Sequence, residues 1–302
     1  METRPPTSEQ LTWRCPAKLN LRLAVVGRRE DGFHELRSLV APISLADHLT
    51  LEWAPETGDH TLRVEGTVGD EVPGDADNLV SRALQAFAAA HPFPGRLHLT
   101  LHKRIPAGAG LGGGSSDAAG TLLALQTLWH HPLEPADLEA MALRLGADVP
   151  FFLRAETALM RGAGEELTPS PTLAARLRGL TCVVFKPSFG VSTGWAYEAL
   201  ASARAYQDAR EEDAALAALE AGTRRLLEAP FNAFRAVVDT RFPAIPVLLA
   251  ALNRLPGVRA EMSGSGSACF ALAHSPAPLE AICQMVREAW GEEVFLETVR
   301  IA

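Results

Sequence analysis

The sequence feature that most constrains the fold is a glycine-rich segment, PAGAGLGGGSSDAA, at residues 106–119. It follows residues 97–103, in which leucines alternate with polar residues as in a half-buried strand. Residues 118–129 then carry apolar side chains at helical spacing. The segment is therefore predicted to form a strand, a glycine loop and a helix. Three polar residues are predicted to cap the start of that helix: Ser115, Ser116 and Asp117.

The glycine loop predicts an anion-binding site. Glycine adopts positive φ without a steric penalty, so successive backbone N–H groups can converge on one point, and the helix N-terminus adds partial positive charge there. Phosphate is the expected guest, and a flexible loop without a ligand is the alternative. The usual P-loop is excluded because no Gly-Lys-Ser/Thr ending is present, and the Rossmann loop is excluded because no acidic residue follows at the required distance.

Composition limits the class of protein and its partners. The chain has 302 residues, is 47% hydrophobic and 21% charged, and carries a net charge of −8, as expected of a soluble globular protein with room for two domains. Without a basic stretch a nucleic-acid partner is disfavoured. The sequence shows neither an apolar run of membrane-spanning length nor the apolar core of a signal peptide. We therefore expect a cytoplasmic location and no membrane partner. The scattered cysteines are expected to be reduced core residues: Cys15, Cys182, Cys269 and Cys283.

Lysine is rare in this chain, and its positions are candidate functional sites. Only three of the 28 basic residues are lysines, namely Lys18, Lys103 and Lys186. Each lysine either marks a position that needs a compact ammonium group or is an ordinary surface residue. Lys18 shares one face of a predicted strand at residues 12–26 with Asn20 and Arg22. That face either positions a polar ligand or is simply exposed to solvent.

Further candidates come from single residues in distinctive settings. Phe33 and His34 lie in a turn-rich stretch and by themselves predict a core ring beside a surface imidazole. Either Asn78 or Asp77 is expected to be the N-cap of an alanine-rich helix that ends near His91. Asp148 lies among apolar residues in GADVPFFL, which suits either a helix cap or a catalytic carboxylate.

The C-terminal part of the chain is predicted to have a ferredoxin-like order of elements. From residue 180 onward the order is strand, helices, two strands, helix and strand. Ser263-Gly-Ser-Gly-Ser267 by itself predicts a hairpin turn, with a ligand-binding loop as the alternative. Helices are predicted in the region up to residue 227, in a short stretch from Phe231, and at residues 244–255 and 279–290. Strands are predicted at residues 180–186, 258–262, 268–273 and 294–301.

Seven motifs in order resemble those of the GHMP small-molecule kinase superfamily over nearly the whole chain: PAKLNL, GRREDGFHEL, DNLV, the glycine loop, GADVPFFL, KPSFGVST and GSGSACFAL. The resemblance implies an α+β, two-domain fold. Residues 1–164 would form an ATP-binding and catalytic domain like ribosomal protein S5 domain 2, and residues 165–302 a ferredoxin-like domain. PAKLNL with GRREDGFHEL resembles the branch that uses ATP and Mg²⁺ to phosphorylate the 2-hydroxyl of a diphosphocytidyl-methylerythritol in non-mevalonate isoprenoid biosynthesis.

The resemblance also implies roles for individual residues. Lys18 and Asp148 match the catalytic pair. Ser116 would contact Mg²⁺, with Asp117 as a second candidate. The positions that match ATP-binding residues are Asn78, Lys103, Pro106, Ala107, Gly108, Ala109, Gly110, Leu111, Gly112, Gly113, Gly114, Ser115 and Ser116. The positions that match substrate-binding residues are Asn20, Phe33, His34, Gly264 and Ser265. Phe33 stands where the family often has tyrosine, so ring stacking is retained and a phenol hydrogen bond is not.

Three alternative functions remain open. A related kinase for another alcohol, such as homoserine or mevalonate, is disfavoured by GRREDGFHEL. A nucleotide-binding regulatory protein that lost catalysis is disfavoured because both Lys18 and Asp148 are present. An RNA-binding protein, suggested only by the ribosomal-type fold, is disfavoured by the negative charge. The small-molecule substrate and ATP are the expected partners, and the protein is expected to be a monomer or homodimer.

Overall fold

The computed structural model describes residues 10–66, 77–130, 133–225, 228–273 and 278–302. The chain forms two compact units, each assembled from separate segments. Unit 1 comprises Met1–Ala17, Leu45–Ala107 and Gly112–Ala155, and unit 2 comprises Lys18–Ser44, Gly108–Leu111 and Glu156–Ala302. The sequence boundary between residues 164 and 165 stays a prediction, and segments that precede it belong to unit 2.

Two long strands carry the chain from one unit into the other. β1 covers Gln10–Arg28 and β2 covers His34–Ala54. A tight turn joins them, in which the backbone N–H of Arg29 donates to the carbonyl of Phe33 at 2.7 Å. Both strands are buried over most of their length, which explains why they are apolar runs with a few polar residues set into them.

Unit 1 joins a sheet to a group of helices. β4 (Arg96–Lys103) pairs antiparallel with β2, from His48↔His102 to Ala54↔Arg96, and parallel with β3 (Thr61–Gly66). Its alternate residues Leu97, Leu99 and Leu101 are buried, as the alternation predicted. The helices of this unit are α1 (Leu79–Ala90), α2 (Gly113–Trp129), α3 (Pro135–Leu145) and α4 (Val149–Phe152). α2 packs against the other three, which explains why it is apolar on most of its surface.

Unit 2 contains the predicted ferredoxin-like sheet. Its four antiparallel strands follow the order β11-β7-β10-β9. They are β7 (Thr181–Lys186), β9 (Val258–Met262), β10 (Cys269–Ala273) and β11 (Phe295–Arg300). α9 (Ala244–Leu252) and α10 (Leu279–Trp290) contribute Leu249 and Ile282 to the core that Phe185 shares. The predicted order of elements is therefore confirmed.

The remaining elements of unit 2 that the structure describes are three short strands and four helices. β5 (Ala158–Gly162) pairs antiparallel with β2 and with β6 (Glu166–Pro169). β8 (Phe231–Asn232) pairs parallel with β1, with Arg22 opposite Phe231. The helices are α5 (Pro171–Leu177), α6 (Thr193–Ser202), α7 (Ala209–Glu220) and α8 (Arg235–Arg241). Within the described residues, no helix combines the length and apolar character that crossing a membrane requires.

Three local predictions are wrong. α2 begins at Gly113 and not at residue 118, and its N-cap is Gly112 with φ +74°, so Ser115, Ser116 and Asp117 lie inside the helix and do not cap it. The helical region predicted through residue 227 ends at Glu220 with α7, and residues 226–227 lie outside the described residues. The helix predicted from Phe231 starts at Arg235, because Phe231 is held in an extended conformation by pairing with β1.

Candidate active site

The polar face of β1 is buried and not exposed. Lys18, Asn20 and Arg22 are only 4%, 2% and 7% exposed. The ammonium of Lys18 donates to Oδ1 of Asn20. The backbone N–H of Lys18 donates to the carbonyl of Leu111 at 2.9 Å, which fixes the first part of the glycine loop beside the strand within unit 2. Because burying a charged group is costly, these side chains indicate a functional site.

The glycine loop contacts the β9–β10 turn within unit 2. Ser263 Oγ donates to the carbonyl of Gly110 at 3.1 Å, and the N–H of Ala268 donates to the carbonyl of Ala109 at 3.1 Å. Gly110 has φ +77°, and a Cβ there would lie 2.3 Å from the carbonyl oxygen of Ser263. The hairpin-turn prediction for residues 263–267 is confirmed. Small residues are required here because the backbones of the loop and the turn come this close.

The second part of the loop starts α2 in unit 1. The first N–H groups of any helix lack intrahelical acceptors, and Gly112 offers no side chain to satisfy them. These amides and the helix dipole suit an anion, and anion binding at this end stays a prediction. Ser116 is 1% exposed, and its Oγ has no hydrogen-bond partner among the described residues. A buried hydroxyl in this state is a ready oxygen ligand.

Lys103 lies between two buried carboxylates in unit 1. Its Nζ is 2.5 Å from Asp47 Oδ2 and 2.7 Å from Asp117 Oδ2. Asp47 Oδ1 also accepts from the backbone N–H groups of Arg104 at 2.6 Å and Ile105 at 2.9 Å. The cluster therefore ties the end of β4 to β2 and to the first turns of α2. ATP binding by Lys103 stays a prediction.

The pKa values of both Lys103 and Asp117 are raised in this cluster, each by a different balance of burial and neighbouring charge. Burial opposes the charge on Lys103, but the two carboxylates outweigh it and raise the pKa of Lys103. Burial and the charge of Asp47 raise the pKa of Asp117 to about 7, against the opposing effect of Lys103. A proton therefore binds to Asp117 far more readily than to an ordinary aspartate.

The two capping alternatives have opposite outcomes. Asn78 is confirmed as the N-cap of α1, because its Oδ1 accepts from the N–H of Val80 at 2.9 Å. Asp148 occupies the cap position of α4, but its side chain makes no capping hydrogen bond. The capping explanation for Asp148 is therefore wrong, and Asp148 is half-buried.

The prediction for Phe33 and His34 from their local setting is reversed. Phe33 is 61% exposed, whereas His34 stacks on Tyr197 with ring centroids 4.7 Å apart. Burial, with a smaller effect from the charge of Arg28, lowers the pKa of His34. His34 Nε2 is buried and has no hydrogen-bond partner among the described residues. The exposed ring of Phe33 is suited to stacking on a flat heterocycle. The unpartnered nitrogen of the neutral His34 imidazole is suited to a hydrogen bond with it.

The β9–β10 turn also contacts the start of α6. Ser265 Oγ lies 2.8 Å from Thr193 Oγ1, and the N-cap Ser192 accepts from the N–H of Trp195 at 3.4 Å. Ser267 Oγ donates to the carbonyl of Phe189 at 2.6 Å. Gly264 and Ser265 are thus held by side-chain hydrogen bonds on both sides of the turn.

Several residues of the site were not predicted. Asp47 is a charged residue within an otherwise apolar strand, and the sequence could have pointed to it for that reason. Ser38 gave no signal, because its role depends on partners far away in the chain, and Ser263 was singled out only as part of a small-residue turn. Arg22 forms a bidentate ion pair with Glu212, at 2.7 and 2.8 Å, which sequence separation also concealed.

The predicted site residues divide between the two units. Unit 2 brings together Lys18, Asn20, the first part of the glycine loop and the turn with Gly264 and Ser265. Unit 1 holds Asn78, Lys103, Asp148 and the start of α2. The pairing of Lys18 with Asp148 stays a prediction. All four cysteines are free thiols, and Cys15, Cys182 and Cys269 are buried as expected, whereas Cys283 is only partly buried against the core.

Two protein families match the chain. The GHMP kinases N terminal domain matches residues 78–156, and the GHMP kinases C terminal domain matches residues 215–292. The 4-diphosphocytidyl-2-C-methyl-D-erythritol kinase of Deinococcus radiodurans is 44% identical over 269 residues, covering 88% of this chain and 85% of the relative. The kinase of the same description from Thermus thermophilus is 43% identical and covers 92% of each chain.

Solved structures agree with these relatives. A crystal structure of 4-(cytidine 5'-diphospho)-2C-methyl-D-erythritol kinase is 38% identical, has a TM-score of 0.77, and matches 97% of this chain and 100% of that one. A homoserine kinase from Cytophaga hutchinsonii, 18% identical with a TM-score of 0.74 over 99% of this chain and 96% of its own, shares the fold alone. The motifs, the ferredoxin-like sheet and identity over most of the chain agree, and this protein belongs to the GHMP kinase family, among its 4-diphosphocytidyl-2-C-methyl-D-erythritol kinases.

Proposed function

We propose that this protein transfers the γ-phosphoryl group of ATP to the 2-hydroxyl of 4-diphosphocytidyl-2-C-methyl-D-erythritol, giving the 2-phosphate and ADP in the non-mevalonate isoprenoid pathway. The observation that carries the proposal is identity above 40% to kinases of that description over most of the chain. The buried polar face of β1 and the uncapped start of α2 supply groups that suit phosphoryl transfer.

The triphosphate binds to the backbone of the glycine loop. Residues 107–115 offer backbone N–H groups in a stretch made mostly of glycine and alanine, and the N-terminus of α2 adds its partial positive charge. Because these donors are fixed before ATP arrives, little reorganisation is needed when charge moves onto the β–γ bridging oxygen. Asn78 and Lys103 are assigned to the side of the site that receives the rest of the nucleotide.

Asp148 and Lys18 carry the proton and charge steps. The carboxylate of Asp148 takes the proton from the 2-hydroxyl of the substrate. The hydroxyl oxygen then forms a bond to the γ-phosphorus while the bond from that phosphorus to the bridging oxygen breaks, and ADP leaves with the electron pair. The ammonium of Lys18 offsets the negative charge that develops on the attacking and transferring oxygens.

The residues at the start of α2 fit a magnesium ion. Mg²⁺ prefers oxygen ligands and usually keeps several waters while binding substrate phosphates. The buried Ser116 Oγ, which has no partner among the described residues, supplies one such oxygen, and Asp117 supplies a second candidate. When bound, the ion neutralises phosphate charge.

The cytidyl group binds in unit 2. Phe33 offers an exposed ring face for stacking on cytosine. The unpartnered Nε2 of His34 offers a hydrogen bond to the base, and Asn20, Gly264 and Ser265 line the polar part of the substrate. The free thiols of Cys15, Cys182, Cys269 and Cys283 suit a reducing cytoplasmic location, and the protein acts there as a monomer or homodimer.

A coupled ADP-release assay with 4-diphosphocytidyl-2-C-methyl-D-erythritol and Mg-ATP tests the proposal. We expect substrate-dependent ADP release, with mevalonate and homoserine giving only background rates. Phosphorus NMR of the product should show a new phosphomonoester in addition to the diphosphate. ADP release with mevalonate or homoserine and none with the cytidyl-polyol would reassign the substrate.

A further inference from the structure

A directed chain of hydrogen bonds runs from Lys18 into the core of unit 2. The ammonium of Lys18 donates to Asn20 Oδ1, Asn20 Nδ2 donates to Ser38 Oγ at 2.9 Å, and Ser38 Oγ donates to the carbonyl of Arg22 at 2.6 Å. Lys18, Asn20 and Arg22 lie on β1 and Ser38 lies on the neighbouring strand β2. Ser38 is fully buried, so water does not reach this end of the chain of bonds.

The direction of every bond follows from the group at the far end. A backbone carbonyl can only accept, so it commits the single hydroxyl hydrogen of Ser38. The Ser38 oxygen is then left to accept, and the side chain that faces it must present a donor. Asn20 therefore turns its NH₂ toward Ser38 and its oxygen toward Lys18. The opposite orientation would place NH₂ against an ammonium, so that two donors would face each other.

We propose that Ser38 is a positioning residue that fixes the orientation of the Asn20 amide and, through it, the ammonium of Lys18 for phosphoryl transfer. The inference rests on the proposed function. Ser38 touches neither substrate nor nucleotide; it acts through Asn20. Aligned donors in a buried chain polarise one another, so each bond strengthens the next.

Further contacts hold two members of this hydrogen-bond series, Arg22 and Asn20, in place. The backbone of Arg22 is held by strand pairing opposite Phe231, so the carbonyl that accepts from Ser38 has a fixed position. Its guanidinium forms a bidentate ion pair with Glu212 and lies over the ring of Phe231, 4.8 Å from the centroid. The backbone N–H of Asn20 donates to Ser263 Oγ at 3.2 Å. With these backbone groups fixed, the orientation of the Asn20 side-chain amide is the feature that can still change. The hydrogen bond to Ser38 determines that orientation.

Removal of the hydroxyl tests the inference. Ser38→Ala should lower kcat for the cytidyl-polyol about tenfold to a hundredfold, the range expected when a reacting group is displaced by a fraction of an ångström. The KM values for ATP and substrate should change less than kcat, because nothing that touches either has been removed. Ser38→Thr keeps the hydroxyl and should recover most of the rate.

A matched substitution separates positioning from loss of stability. Ser170 is also a buried serine of unit 2, and its Oγ accepts from the N–H of Leu173 and donates to Glu220. Ser170→Ala should lower the melting temperature by an amount similar to Ser38→Ala while leaving kcat unchanged. Equal losses of kcat in the two variants would overturn the inference.

A double-mutant cycle with Lys18→Met provides the decisive readout. If Ser38 acts through Lys18, the residual kcat of Lys18→Met should fall no further when Ser38→Ala is added. Multiplicative losses would show that Ser38 acts independently of Lys18 and would overturn the inference. A wild-type protein that does not turn over the cytidyl-polyol would instead refute the proposed function, so the two failures are distinguishable.

Discussion

Lys103 donates to Asp117 Oδ2 across 2.7 Å, yet Asp117 Oδ1 is buried and has no partner among the described residues. The ion pair therefore satisfies only half of this carboxylate. Because the same ammonium also serves Asp47, the cluster has one positive charge for two carboxyl groups. This shortage of positive charge makes proton binding at Asp117 part of the stability of unit 1.

The first prediction concerns pH. The pKa of Asp117 is about 7 in the folded protein, mainly through burial, and about 3.9 in an unfolded chain, so the native state binds more protons between these values. The stabilising contribution of Asp117 is therefore present at low pH and is lost as pH rises toward 7. Asp117→Asn should remove this loss.

Urea denaturation at pH 5, 6, 7 and 8 measures this difference. Relative to Asp117→Asn, the free energy of unfolding of the wild type should fall with rising pH, at no more than about 1.4 kcal/mol per pH unit. Parallel pH profiles for the two proteins would mean that Asp117 stays ionised throughout.

The second prediction concerns the ammonium of Lys103. Lys103→Met leaves two buried carboxyl groups without their cation and should destabilise the protein by about 3–5 kcal/mol. Adding Asp47→Asn and Asp117→Asn to this variant removes the uncompensated charge and should restore part of that loss. Lys186→Met, at a half-buried lysine whose Nζ donates to the carbonyl of Pro187 at 3.2 Å, serves as the control in thermal denaturation. Equal melting temperatures for the two single variants would contradict the prediction.

The third prediction compares two glycines of the same loop. Gly108 and Gly110 have φ of +59° and +77°, but a Cβ at Gly108 meets nothing within 4 Å, whereas one at Gly110 meets the carbonyl of Ser263 at 2.3 Å. Gly108→Ala should cost about 1–2 kcal/mol for the left-handed conformation. Gly110→Ala should cost about 1–3 kcal/mol more through overpacking against backbone. Similar melting temperatures would show that the loop moves away from the turn at little cost.

The fourth prediction concerns the proposed base. Asp148→Asn should lower kcat by about 10²–10⁴ while nucleotide affinity stays near that of the wild type, because only proton transfer is removed. Asp137→Asn, an exposed acidic residue in the first turn of α3, should leave kcat unchanged. Turnover of Asp148→Asn at the wild-type rate would exclude this carboxylate as the base.

Local signals predicted some elements well. α3 was expected at residues 135–145 and α10 at residues 279–290, and both helices have those bounds. Pro135 and Gly146 mark the ends of α3 through their own backbone preferences, so no distant partner is needed. Two strands of the ferredoxin-like sheet, β7 and β10, were predicted for a similar reason, since each is a distinct run of apolar residues.

The elements that failed depend on contacts or torsion angles that composition does not reveal. The start of α2 depends on Gly112 adopting φ +74°, and a glycine in sequence is compatible with several conformations. β8 has only two residues and exists because Arg22 lies opposite Phe231. Likewise, Lys18 and Asp148 were recognised through motif resemblance and the rarity of lysine, whereas Ser38 and Asp47 acquire their roles only from folded neighbours.

In unit 2, residues 300–302 contact residues 42–44, which lie at the end of the segment Lys18–Ser44. The N–H of Ala302 donates to the carbonyl of Pro42 at 3.0 Å, Ile301 bridges to Ile43, and the N–H of Arg300 donates to Ser44 Oγ at 2.9 Å. During synthesis on the ribosome residues 42–44 of β2 are made long before residues 300–302, which supply these contacts. A fragment truncated before residue 300 should therefore unfold at a lower temperature than the full chain, because these hydrogen bonds cannot form.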